Sequence, residues 1–275
     1  MPAILTEIVE VDDDVIGLNW SVDNMEDLAK LIAVITLGQA DHAARIIHEL
    51  EPFGPALSDG QLFEGARGQL RIRGETAKQK EVSGYHRDGF LFECISWIVA
   101  RQEGNDRTFM KDPHITSTTQ GLDGLMIEME ATEPVVLKAT IFEDKCTEHP
   151  RQKFKQEVLP TFTDHHENRR SRELVANSVS LIKQGGLNGT AATHAAARIL
   201  DRRFRTYRAA LTVDASLNTT AKRKSLFKNY SDLAGITQSQ RLGATLVVEI
   251  ALREWFQILA DRVIEALREF EAHGV

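Results

Sequence analysis

Three consecutive charged side chains, Glu143, Asp144 and Lys145, close an otherwise apolar run, VVLKATIFEDKC. Side chains alternate across a strand, so Glu143 and Lys145 share one face and Asp144 takes the other. A carboxylate and an ammonium together at a strand end suit a metal-phosphate site: the carboxylate binds a hard divalent cation and the lysine lies beside it. Such a site needs another acid. The preceding run, QGLDGLMIE, supplies Asp123, flanked by Gly121 and Gly124, whose small size leaves room for an ion and an approaching phosphate. A third acid lies upstream. Glu93 is the only charged residue between Asp88 and Arg101, and at helical spacing it shares a face with Phe90, Trp97 and Ala100. An isolated carboxylate on an apolar stripe is costly unless it is paired or metal-bound. The expectation is that a metal satisfies Glu93, Asp123 and Glu143 together, and that Lys145 completes the group.

These residues require elements to hold them. DGFLFECISWIVARQ, residues 88–102, reads as a long apolar helix carrying Glu93. LDGLMIEME and VVLKATIFEDKC read as two strands parted by the turn ATEP, with DPHITSTTQG as a polar connector before them. Residues 24–50 have helical spacing, 51–68 read as a Gly- and Pro-rich loop, and 151–158 as a short basic helix. ENRRSRELVANSVSLIKQGG reads as a helix ending at Gly185-Gly186, and THAAARILDRRF as another. YRAALTVDASL and ATLVVEIAL read as strands, KRKSLFKNYSDLAG as helix or loop, and REWFQILADRVIEALREFEA as an amphipathic helix. The predicted class is α/β (α+β), a mixed β-sheet flanked by helices. The expected division is an N-terminal helical or irregular segment (1–84), a core carrying the site (85–160), and a C-terminal α/β portion (161–275).

The chain has 275 residues, 42% of them hydrophobic, ample for a packed core. No apolar run approaches the roughly 20 residues that span a bilayer, and the acidic N-terminus lacks the positive region of a signal peptide. Two cysteines, Cys94 and Cys146, read as reduced core thiols. A cytoplasmic protein with no membrane partner is expected. Net charge is −7, which alone argues against nucleic acid, yet base is clustered late in the chain. Arg198, Arg202, Arg203, Arg205 and Arg208 surround a single Asp201, and Lys222, Arg223, Lys224 and Lys228 follow with no acid among them.

A helix glutamate, then Asp on one strand, then Glu-x-Lys on the next, resembles the PD-(D/E)XK nuclease superfamily, whose core has the same order of helix, strand and strand. DGFLFECISW, QGLDGLMIE, IFEDKCTEHPR, RAALTVDASL, KRKSLFKNYSDLAG and ATLVVEIALREWFQILADRVIEAL together resemble the nuclease subunits of Hachiman-type anti-phage defence systems and related two-gene systems with a helicase. The resemblance runs from about residue 85 to the C-terminus, and none of the four site positions departs from it.

The resemblance implies a restriction-endonuclease-like core and metal-dependent hydrolysis of a DNA phosphodiester. Asp123, Glu143 and Lys145 would be catalytic. Asp123 and Glu143 would hold Mg2+ or Mn2+, with Glu93 and the Asp144 carbonyl as further ligands. The all-oxygen set argues against zinc. The ion would polarise the scissile phosphate and lower the pKa of a bound water, and Lys145 would orient that water or stabilise phosphorane charge. A base role for Lys145 would require a depressed pKa. Arg151, Lys153 and Lys155 follow the site strand and would grip the backbone, with Arg202, Arg203, Arg205, Lys222, Arg223 and Lys224 extending the track. No recognition-helix pattern appears, so little base specificity is expected. The implied partner is a superfamily 2 helicase. Two other readings stand beside this one: a non-catalytic interaction subunit that keeps the fold, and a nuclease for RNA. His165-His166 reads as loop, QGGLNGT as a helix end, and His194 with Asp214 lacks a nucleophile elbow for a hydrolase triad.

Overall fold

The computed structural model describes residues 2–48, 51–114, 122–130, 133 and 135–273. Its centre is a mixed sheet of seven strands among the described residues, with helices on both faces. β1 (Ile4–Asp12) and β2 (Val15–Val22) form an antiparallel hairpin whose turn is fixed by Asp12, which accepts the Asp14 N–H at 3.0 Å. Then come α1 (Met25–Thr36), α2 (Ala40–Ile47), α3 (Gly60–Leu70) and α4 (Ala77–Glu103). β3 (Thr108–Met110), β4 (Gly124–Met129) and β5 (Val136–Lys145) make an antiparallel meander. α5 (Pro150–Lys153) runs through a wide turn at 154–158 into α6 (Leu159–His166), followed by α7 (Ser171–Gln184) and α8 (Gly189–Ala197). β6 (Arg205–Asp214), α9 (Thr220–Leu226), β7 (Arg241–Val248) and α10 (Leu252–His273) complete the chain.

The strand order is β1-β2-β7-β6-β5-β4-β3. β2, β7, β6 and β5 run parallel to their neighbours in that central block, so the ends of β5, β6 and β7 lie along one rim of the sheet. β4 is antiparallel to β5 and starts at the same rim, with Gly124 opposite Phe142. Strand alternation divides the core. Phe142, Ala210 and Leu246 pack with α1–α4 and α10 on one face. Ile141, Ala209 and Leu211 pack with α5–α9 on the other.

The expected mixed sheet flanked by helices is present. Two strands, β1 and β2, occupy the segment 1–84 that read as helical or irregular, and β2 pairs with β7. Helix α3 stands within the stretch 51–68 that read as loop. Asp59 caps it by accepting the N–H of Gln61 at 2.9 Å, and Phe63, Ala66 and Leu70 bury one face, which offsets its glycines. The connector DPHITSTTQG begins just after a short strand, β3; its residues 115–120, with Gly121 and most of the ATEP turn, lie outside the described residues. His165 and His166 are not loop residues: they end α6 and are buried, His166 bonding to Tyr207 and to the Ala234 carbonyl. Among the described residues no helix is long and apolar enough to cross a membrane.

Candidate functional site

The rim shared by the start of β4 and the end of β5 brings Asp123, Glu143 and Lys145 together. Lys145 Nζ lies 2.7 Å from Asp123 Oδ2 and 3.0 Å from Glu143 Oε2. The Asp144 N–H donates to the same Asp123 oxygen at 3.1 Å. Glu173 on α7 fixes the start of β4 by accepting the Leu122 N–H at 3.1 Å. Glu143 and Lys145 point to the α5–α9 face, as the alternation of the strand requires. Gly124 has a different use from the one expected. A Cβ there would meet Phe142 Cδ2 at 2.5 Å, so its missing side chain makes room for the Phe142 ring rather than for an ion.

Asp144 turns to the opposite face, toward α4. There Arg208 lies 3.9 Å over the Phe142 ring and 5.1 Å from Trp20, and donates to the Ser96 carbonyl at 3.1 Å and to the Ser96 hydroxyl. Burial pushes the Asp144 carboxyl up to about 7, with Arg208 pulling the other way. Its Oδ1 is buried without a hydrogen-bond partner among the described residues.

Glu93 does not join Asp123 and Glu143. It lies on α4, on the Asp144 side of the sheet, and its Oε1 is taken by His114, which offers its backbone N–H and its ring Nδ1, each at 2.9 Å. The other ring nitrogen of His114 is 2.8 Å from Lys111 Nζ, and Lys111 also donates to the Leu122 carbonyl at 2.6 Å. A lysine can only donate, so Nε2 is the acceptor and Nδ1 carries the proton toward Glu93. Among the described residues no three His, Cys, Asp or Glu side chains converge on a point where they could hold a metal. The expected three-carboxylate set is therefore split by the sheet: helix α4 packs on one face and the Glu143 side chain leaves by the other.

The electrostatics of the remaining pair still suit a hard cation. Burial, then the charge of Asp123, pushes the Glu143 carboxyl up to about 8, against the pull of Lys145. A divalent ion would relieve both costs, and Mg2+ commonly binds through one or two carboxylates plus a substrate phosphate. The donor set of Asp123 and Glu143 fits such an ion. Burial opposes the charge on Lys145, but Glu143 and Asp123 outweigh it, and its pKa is raised. Those two side chains thus favour Lys145 as an ammonium.

The basic residues separate by burial. Arg205 is fully buried and donates to the carbonyls of Ile199 at 2.5 Å and His165 at 2.6 Å, and to Asn168, so it ties α6 to β6 and cannot reach DNA. It sits beside Ala139, four positions back from Glu143, roughly 13 Å along the strand. Arg202 and Arg203 lie beyond it, away from the site rim, and Arg203 is paired with Asp201 at 2.6 Å. Arg223 is buried and donates to the Glu10 carbonyl at 3.0 Å and to Asn218 at 2.8 Å. Arg151 holds the end of α9 through the carbonyls of Leu226 at 3.0 Å and Lys228 at 2.8 Å. Lys153 pairs with Glu157 one turn on, and Lys155, Lys222 and Lys224 are exposed. No continuous basic track of the expected residues leads from the rim.

Lys111 and His114 carry no role in the sequence reading, and Arg208 enters it only as a member of the basic cluster 198–208, whereas it is buried against the Phe142 ring. Arg208 shows the signal that exposed Glu93, a lone charge inside an apolar run, YRAALTV. Lys111 and His114 sit in a polar connector, where nothing marks them. No protein-family model, curated protein or solved structure matches the chain.

Proposed function

We propose that the chain is a Mg2+-dependent nuclease of the PD-(D/E)XK type, hydrolysing DNA phosphodiester bonds with little sequence specificity. On the resemblance of its segments to Hachiman-type nuclease subunits, it would act beside a superfamily 2 helicase in anti-phage defence. The observation that carries this reading is the meeting of Asp123, Glu143 and Lys145 at one strand rim from two strands, with Glu143 buried and its charge opposed by its surroundings. The run of α4, β3, β4 and β5 into a parallel β6 agrees with the helix-strand-strand order of that superfamily.

Asp123 and Glu143 would hold the cation, which supplies Lewis-acid polarisation of the scissile phosphate. Lys145 would supply a fixed positive charge to the phosphate oxygens as negative charge builds on them. Because its pKa is raised, it orients and stabilises, and proton removal falls to another group or to solvent. Asp144 contributes its backbone N–H, which fixes Asp123, rather than its side chain.

A second reading, a non-catalytic interaction subunit, draws on the separation of Glu93 from the other carboxylates. Incubating linear DNA with the purified chain, with and without Mg2+, separates the two. Mg2+-dependent degradation that disappears in the Glu143→Ala, Lys145→Ala double variant supports the nuclease. Intact DNA throughout, together with no thermal shift on adding Mg2+, favours the second reading.

A further inference from the structure

An open groove of about 1040 Å3 runs between α3, the first half of α4 and the end of α1. Its floor is aliphatic and almost closed: Leu37, Leu62 and Ala66 line it, with Phe90 at its inner end only 4% exposed. Leu62 is partly exposed, and Val82, on the α4 wall, is 43% exposed, so these two carry apolar surface into the groove. A concave, mostly apolar lining of this kind is shaped to receive apolar side chains of a partner.

The rim of the groove is cationic. Arg71, Arg73, Lys78 and His86 line it, and no Asp or Glu does, on a chain whose net charge is −7. Arg71 is shared with Glu64 at 3.4 Å. Among the described residues neither Arg73 nor Lys78 has an ion-pair partner. Arg73 lies across the α3 backbone, its Nη2 2.4 Å from where a Cβ on Gly68 would stand. Two unpaired cations flanking an aliphatic floor demand a ligand with the reverse arrangement: an apolar stripe bordered by carboxylates.

We propose that this groove docks an acidic amphipathic helix of a partner protein. Helix-in-groove recognition needs an apolar trough of this kind for residues spaced at i, i+3, i+4 and i+7. The rim charges select acidic partners and steer their approach. A nucleic-acid strand fits less well, because base stacking needs exposed aromatic rings and the floor offers aliphatic side chains. The site is separate from the β4–β5 rim, and the proposal stands whether or not the chain is a nuclease.

The test is fluorescence polarisation of the full chain with a labelled designed helix of about five turns, Leu on one face and Glu on the other. A peptide with Lys in place of Glu and a labelled single-stranded oligonucleotide run in parallel. Two variants probe the groove. Gly65→Trp places a large ring at the groove from an exposed position where a Cβ meets nothing within 4 Å, and replacing a helix-interior glycine does not disfavour the helix. Arg73→Glu with Lys78→Glu reverses the rim at exposed positions. Thermal unfolding and the Mg2+-induced shift should match wild type in both. The acidic peptide should bind in the micromolar range, more weakly as salt rises, and at least tenfold more weakly to either variant; the Lys peptide should not bind. Failure of the acidic peptide to bind, or equal binding to Gly65→Trp, overturns the proposal. So does oligonucleotide binding that both variants abolish, which would make the groove a nucleic-acid channel.

Discussion

Lys145 holds its ammonium 3.0 Å from the Glu143 carboxylate two positions before it, and the same ammonium reaches Asp123 at 2.7 Å across the hairpin. It thereby offsets the charge of Asp123 and opposes the upward push that burial and Asp123 exert on the Glu143 carboxyl. Lys145→Met keeps an unbranched side chain one atom shorter and removes the charge. The expected loss is about 1–3 kcal/mol, below the cost of breaking a fully buried pair, because Asp123 keeps 27% and Lys145 22% of its side chain exposed. Mg2+ should restore more of the melting temperature in the variant than it adds to wild type. Equal Mg2+ responses would mean that the ammonium and the ion do not compete for the same two carboxylates.

Glu143 sets a pH dependence for metal binding. With its carboxyl pushed up to about 8, it is mostly protonated at pH 7 and must lose that proton to bind an ion. Mg2+ affinity should therefore rise about tenfold per pH unit below 8 and level off above it. The sign for folding is opposite. Between the ordinary carboxylate range and about 8 the folded chain holds a proton that the unfolded chain has released, so stability without metal falls as pH rises across that window. Titration calorimetry with Mg2+ at several pH values, beside thermal unfolding in chelator, reads both slopes. Glu143→Gln should flatten both.

Arg208 and Asp144 share the buried face of the sheet without an ion pair between them, and Arg208 is the cation that opposes the upward push of burial on the Asp144 carboxyl. Arg208→Met removes that cation together with its packing over Phe142 and its bonds to Ser96. The loss should be about 1–3 kcal/mol, since the Ser96 carbonyl loses a donor while the Asp144 carboxyl can take up a proton in place of the lost cation. Adding Asp144→Asn should recover part of it, because an amide has no charge to strand. Chemical denaturation of the two single variants and the double closes this cycle, and strict additivity would show that the two residues are independent.

How far the sequence could be read follows from how local each signal is. β4, β5, β6, β7, α4 and α10 were legible because long apolar runs and helical periodicity belong to single segments. The meeting of Asp123 with Glu143 and Lys145 was legible because one hairpin sets it, and alternation decides the faces. β1 and β2 were missed although they form a local hairpin: β1 is an edge strand whose run TEIVEVD is acidic and mostly exposed, and β2 is anchored by β7, more than two hundred residues away. Glu93 was assigned to the wrong company for a related reason. Helical spacing shows that it faces an apolar layer, but not that a histidine beyond β3 waits there. The arginines were misjudged in the same way: clustering reads as a surface track, whereas Arg205 and Arg223 spend their donors on backbone carbonyls inside the fold.

That burial makes the basic residues separable by experiment. Arg205→Ala should cost about 3–5 kcal/mol, since it strands the carbonyls of Ile199 and His165 and empties a buried site. Lys155→Ala, Lys222→Ala and Lys224→Ala should leave stability within about 0.5 kcal/mol, as exposed substitutions do. If these lysines contact phosphates, each should also lower the salt dependence of DNA binding by close to one unit of slope. An unchanged slope with all three removed would place the DNA surface elsewhere on the chain.

Glu93 separates two roles that give different patterns. If it orients His114, then Glu93→Gln and His114→Ala break the same contact, and the double variant should be no worse than either single in DNA cleavage. The Mg2+ affinity of all three should then match wild type, because the Asp123 and Glu143 pair is untouched. If Glu93 is instead a metal ligand reached by rearrangement, Glu93→Gln alone should weaken Mg2+ binding, and His114→Ala should strengthen it by freeing the carboxylate. Lys111→Met adds an independent check. Its ammonium donates to His114 Nε2 and so favours the tautomer with the proton on Nδ1 toward Glu93. Without it the preference for that tautomer should weaken, which the chemical shifts of the two ring nitrogens report by nuclear magnetic resonance. Ring-nitrogen shifts unchanged in Lys111→Met would mean that the lysine does not set the tautomer of the histidine.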